Sequence, residues 1–180
     1  MTTPAHEQTS STSTQLDAAA RRTGVADEVR VVVVGVDGSA ASDQALLFAV
    51  REAQLRDATL QIVAAYDYGA LTNGYAGSFD MGFALGPVQE GLHAAAQALA
   101  KASAATVADL AGPPVRTQAV VQAGRPSQVL IDAAKDAALL VVGARGAGAF
   151  TRLMLGSTSN EVVHHAHVPV MVVPDHQDHD

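Results

Sequence analysis

The residue types and spacings with the clearest chemistry are the glycines and hydroxyls of Gly143-Ala144-Arg145-Gly146 and Gly156-Ser157-Thr158-Ser159. The first group ends an unbroken apolar run, Ala138-Leu139-Leu140-Val141-Val142. The second opens a stretch with the look of a helix start, Thr158-Ser159-Asn160-Glu161-Val162-Val163. A strand ending in glycine, a loop, and a second glycine plus hydroxyl at a helix N-terminus expose backbone N–H groups to an anion. Phosphate is the first candidate ligand. The strand-end glycines let the backbone approach a phosphate chain, and the helix start presents N–H groups and the Ser157 hydroxyl to its far end. Arg145 and Arg152 put positive charge near this loop, although either serves equally well as a solvated surface arginine. Thr158 and Glu161 also have capping-box spacing, which requires no ligand.

A second candidate lies early in the chain, in Asp37-Gly38-Ser39. At a strand end the Asp37 carboxylate suits a ribose hydroxyl or a metal held through water; alternatively it caps the next helix in company with Ser39. Several chemistries are set aside. There is no cysteine, which removes thiolate catalysis, thiolate metal sites and disulfides. The formal net charge of −7 opposes non-specific binding to nucleic acid or anionic membrane, so any phosphate site must be local. No apolar run approaches the roughly 20 residues that span a bilayer, and the N-terminus lacks the basic and apolar regions of a signal peptide, so a cytoplasmic protein is expected. His164, His165 and His167 cluster at a helix end, where imidazolium favours the negative dipole terminus. His176 and His179 match no defined metal spacing, so no metal ligand and no catalytic residue is assigned.

The elements that position these residues alternate. Residues 1–28, rich in Thr, Ser, Ala and Gln, have no apolar periodicity and are expected to be a disordered arm. Residues 29–36 form a β-branched run, as expected of a strand buried on both faces of a parallel sheet. Asp37-Gly38-Ser39 then turns into a helix with Ala45, Leu46, Ala49, Val50 and Ala53 at helical spacing. A second strand is predicted at 59–66. A helix follows from Pro87, with Val88, Leu92, Ala95, Ala96, Leu99 and Ala102 on one face. A third strand at 115–122 alternates more and is expected nearer the sheet edge. Gly124-Arg125-Pro126-Ser127 leads into a helix with Val129, Leu130, Ala133 and Ala134, and the fourth strand is the run before Gly143. After the glycine loop come a helix from about Thr158 to His165 and a fifth strand at 168–173. This alternation demands right-handed crossovers and a mostly parallel sheet, an open α/β fold with helices on both faces. Pro169 inside the last strand makes it an edge, and its apolar character favours a homodimer through residues 168–173. Residues 175–180 form an acidic, His-containing tail that would otherwise blunt that edge.

The spacing Gly143-x2-Gly146-x9-Gly156-Ser157 resembles the nucleotide-binding signature of the universal stress protein family. Val34-Gly35-Val36-Asp37-Gly38-Ser39 looks like that family's first strand and turn, Gly124-Arg125-Pro126 like its third-strand turn, and residues 167–174 like its closing strand. The resemblance covers residues 28 to 174, and a folded domain over 29–174 is expected. It implies strand order 3-2-1-4-5, of the adenine-nucleotide α-hydrolase-like kind, dimerisation through the fifth strand, and ATP, with or without Mg²⁺, as the ligand. By position, Asp37 and Ala65 would flank adenine and ribose. Gly143, Arg145 and Gly146 would line the ribose and phosphates, and Gly156, Ser157 and Thr158 would take the phosphates. Val36, Ser39, Ala144 and Ser159 complete the candidate set.

The expected function is therefore an ATP-binding regulator or sensor in the stress response, acting through an unidentified protein partner. Hydrolysis is expected to be slow at most, since the loop has no Gly-Lys-Ser/Thr of the P-loop type and no second carboxylate is placed to orient water. Rival readings are a cyclic-AMP binder, a weak ATPase and a nucleotide-free dimeric interaction module. A phosphorylated receiver domain is disfavoured, because the third strand ends in Val121-Gln122-Ala123-Gly124 with no acceptor aspartate.

Overall fold

The computed structural model describes residues 30–67, 85–146 and 155–174. The expected arm at 1–28, the tail at 175–180 and Arg152 lie outside the described residues. The elements are β1 (Val31–Val36), α1 (Ala40–Arg56), β2 (Thr59–Tyr66), α2 (Leu85–Asp109), β3 (Thr117–Ala123), α3 (Pro126–Ala133), β4 (Leu139–Gly143), α4 (Ser157–His165) and β5 (Val170–Val173). All strand pairings are parallel, and the five strands lie in the order β3-β2-β1-β4-β5. The order reverses at β1, which pairs with β2 through Val32↔Leu60 and with β4 through Val32↔Leu139.

The β1 valines explain this central position. Val32, Val33 and Val34 are all 0% exposed, a burial that only a strand covered on both faces achieves. The period-two geometry of a strand then divides the apolar side chains between two cores. Val32, Val34, Val36, Leu60, Ile62, Leu139 and Val141 face one way and pack with Ala45, Leu46, Ala49 and Val50 of α1 and Ala96 and Ala100 of α2. Val33, Val63, Leu140 and Val142 face the other way, against Val129 and Leu130 of α3 and Val162 of α4. Leu60, Ile62 and Leu140 are wholly buried; each contributes about 1.5–3 kcal/mol through apolar burial.

Two expectations shift. β5 begins at Val170, so Pro169 stands just before it and not within it; the Pro169 carbonyl accepts the Leu140 N–H at 3.0 Å. β5 still lies at one edge, and β3, the more exposed strand, at the other. On α2 the buried residues are Ala96, Ala100, Ser103 and Val107, whereas Val88, Ala95 and Ala102 are exposed. Alanine occurs on every side of this helix, so apolar spacing gives little direction, and contact with the sheet selects the buried stripe.

Candidate functional site

The C-terminal ends of β1 and β4 separate around a cleft of about 290 Å³ at the point where strand order reverses, the place where open parallel sheets bind ligands. Of the expected residues, Val36, Asp37, Ala65, Gly143, Arg145, Gly146, Gly156, Ser157, Thr158 and Ser159 line it. Ser39 and Ala144 do not; both act behind its wall.

The turn after β1 fixes Asp37. Ser39 is the N-cap of α1, and its hydroxyl oxygen accepts the Ser42 N–H at 3.2 Å while donating to Asp37 Oδ1 at 2.6 Å. The Ser39 N–H also donates to Asp37 Oδ1, at 3.0 Å. Ser42, which is 3% exposed, donates its hydroxyl to the Ser39 carbonyl at 2.9 Å. Asp37 thus does take part in the capping turn, through one oxygen. Its other oxygen, Oδ2, faces Gly146: a Cβ added there would lie 2.5 Å from it. Removing the Ser39 hydroxyl in Ser39→Ala should cost about 1 kcal/mol of stability, the usual worth of an N-cap, measured as a lowered urea midpoint with unchanged slope.

The opposite wall hangs from Ala144. Its N–H donates to the Val173 carbonyl at 2.7 Å, and its own carbonyl accepts the Gly156 N–H and the Ser159 hydroxyl, each at 2.8 Å. One backbone unit therefore joins β4, β5 and the start of α4. Gly156 is the N-cap of α4 and has no side chain with which to cap it; the first intrahelical bond runs from Asn160 N–H to the Gly156 carbonyl. The N–H groups of Ser157, Thr158 and Ser159 precede that bond, as the orphan donors of a helix start do, and these three residues line the cleft.

The expected Thr158–Glu161 capping box does not form. Helix α4 starts one residue earlier, at Ser157, and Glu161 turns instead toward α3. Its carboxylate accepts the Ser127 hydroxyl and pairs with Arg125 Nη2 at 2.8 Å. The Ser127 hydrogen bond, then the nearby charges of Arg125 and His165, hold the Glu161 carboxyl below its ordinary range. At the far end of α4, His164 places Nδ1 2.8 Å from the Asn160 carbonyl, in keeping with a role at the helix terminus.

Sequence reading missed Gly35, Ser42, Val63, Pro126, Leu130 and Val142, which also line the cleft. Val63 and Val142 were legible only as core positions. Pro126 stands in the turn at the carboxyl end of the third strand, the end at which open parallel sheets bind ligands, and could have been added from that. The apolar lining comes from the strand ends and α3, the polar lining from Asp37, Ser42, Arg145 and the start of α4. Such a cleft suits a ligand with an apolar portion and an anionic portion.

The universal stress protein family model matches residues 28–174. The chain belongs to the universal stress protein family. A universal stress protein of Mycolicibacterium smegmatis is 37% identical over 142 residues, covering 79% of this chain and 47% of the relative. The chain spans about half the length of the curated relatives it matches. Among solved structures, the universal stress protein UspA from Lactobacillus plantarum is similar with a TM-score of 0.65 and 26% identity, covering 82% of this chain and 99% of that one. A universal stress protein solved in complex with cAMP is similar with a TM-score of 0.51 and 26% identity, covering 83% and 99%. The strand order and the family anticipated from the glycine spacing both hold. Among the described residues, no helix is long and apolar enough to cross a membrane.

Proposed function

We propose that the cleft binds an adenine nucleotide, ATP in the first instance, and that the protein is a nucleotide-dependent regulator of the stress response. The observation that carries this is the cleft's mixed lining, which brings the first residues of α4 and Arg145 together with apolar residues of the strand ends and α3 at the point where strand order reverses. Gly146 lies where a side chain would intrude: a Cβ there would sit 2.5 Å from Asp37 Oδ2. A phosphate chain accepted there needs no protein-built metal cage, since Mg²⁺ travels with nucleotide phosphates and keeps much of its water. Among the described lining residues Asp37 is the one carboxylate, which supports binding over rapid hydrolysis.

Residues 29–174 would be the binding domain, acting in the cytoplasm as a homodimer through β5, whose outer edge is a ready template for a second copy. A cyclic-AMP ligand is the second reading, favoured by the related protein solved with cAMP. Titration calorimetry of the purified protein with ATP, ADP, AMP and cyclic AMP separates them. One-site binding strongest for ATP supports the proposal, strongest binding of cyclic AMP selects the second reading, and no binding of any of the four sinks both.

A further inference from the structure

Two walls of the cleft are built by different crossovers. Helix α3 follows β3 and contributes Pro126 and Leu130; helix α4 follows β4 and contributes Gly156, Ser157, Thr158 and Ser159. The two helices share one apolar core against the sheet. Leu130 is 4% exposed and lies over Gly35, where a Cβ would meet its Cδ1 at 2.8 Å, and Val162 is 0% exposed in the same core. Parallel strands fix where each helix begins, but not how far apart two helix starts stand; that spacing depends on side chains between them.

The polar side chains between them are Arg125, Ser127 and Glu161. Ser127 follows Pro126 directly, is 5% exposed and donates its hydroxyl to Glu161, which also pairs with Arg125. Glu161 in turn precedes the buried Val162 and lies one turn beyond the donors that line the cleft. We propose that Glu161 is a positioning residue, which ties the Pro126–Leu130 wall to the start of α4 and so sets the span between the apolar and anionic parts of the cleft. The ligand consequence rests on the nucleotide-binding reading; the tie itself does not.

The sign of the effect separates this role from simple electrostatics. A carboxylate near bound phosphates repels them, so if Glu161 acted only as a nearby charge, removing it would strengthen ATP binding. If it sets a span, removing it weakens ligands that bridge both walls and spares those that use one. Glu161→Ala should weaken ATP about three- to tenfold, a range between an exposed ion pair and a charged hydrogen bond. Adenosine affinity should change by less than about twofold on the same reasoning. Glu161→Gln, which keeps an acceptor for Ser127, should recover part of the loss, and Ser127→Ala combined with Glu161→Ala should be less than additive, as for residues in contact.

Unchanged or tighter ATP binding in Glu161→Ala, or equal losses for ATP and adenosine, overturns the proposal. Hydrogen exchange of the nucleotide-free protein provides an arm that needs no ligand. Ser127→Ala leaves the sequence of α4 intact, and exchange at the amides of 160–163 should accelerate relative to those of α1. Acceleration with no nucleotide bound by the unsubstituted protein would retain the tie and discard the nucleotide reading; unchanged exchange would discard the tie.

Discussion

Gly146→Val should reduce ATP affinity by roughly 100-fold, the scale of losing one or two hydrogen bonds to charged groups, while leaving the thermal midpoint nearly unchanged. The reason is the narrow gap between the two halves of the cleft. A Cβ at position 146 would meet Asp37 Oδ2 at 2.5 Å, too close for either atom to remain. Asp37 cannot simply rotate aside, because its other oxygen is held by both the N–H and the hydroxyl of Ser39. Either the carboxylate gives up its place in the turn or the Arg145–Gly146 backbone moves into the space meant for the ligand. Residue 146 is exposed, so the valine touches little of the core and the damage should stay local. Calorimetry alongside a melting curve tests both halves of the expectation, and ATP binding of undiminished strength in the variant would remove the structural basis for the proposed site.

Gly143→Ala should act on the fold itself, lowering stability by about 1–3 kcal/mol, the usual penalty of overpacking. Its Cβ would lie 2.8 Å from the Ala41 carbonyl carbon and 2.9 Å from that residue's oxygen and Cβ. These are atoms of the first turn of α1, not the tip of a pliant side chain, and Gly143 is pinned by its pairing with β5 through Val173. Neither side has room to yield. The control is Gly91→Ala in α2, where an added Cβ would meet nothing within 4 Å; replacing an exposed helical glycine should raise stability by roughly 0.5–1 kcal/mol. Opposite signs for the two substitutions in urea denaturation are the expected result. A neutral Gly143→Ala would mean that α1 and β4 are not as closely apposed as described.

The two glycines show how far local reasoning reached. From the sequence, Gly143 and Gly146 shared the same two explanations, plain turn glycines or backbone approach to phosphate. The structure gives them different ones: Gly143 makes room for a helix, and Gly146 for the carboxylate across the cleft. Neither partner is near in sequence, so no local pattern could have separated them. Strands β1 and β4 were legible because burial on both faces demands unbroken apolar residues, and the Val-rich runs have few other uses. The buried stripe of α2 was not, because alanine satisfies a helix on any side and Ala95, Ala96, Ala100 and Ala102 look alike until a sheet lies against two of them. Glu161 was the sharpest miss. Three residues after Thr158 it satisfies a capping rule, but the partners it takes, Arg125 and Ser127, belong to another helix.

The central place of β1 also governs when a cleft can exist at all. Asp37 leaves the chain's first strand, while the glycines and helix start opposite it follow the fourth, and the two meet only through pairings such as Val32↔Leu139. Parallel contacts between such distant segments are slow to form, since loop closure must come first. The cleft therefore cannot be complete before β4 docks beside β1, and a partial chain that stops short of α4 has no such cleft. Any molecule recognised there favours the fully assembled sheet by mass action. Occupancy would then report that folding has finished, and the ligand would protect the sheet as a whole against unfolding and proteolysis.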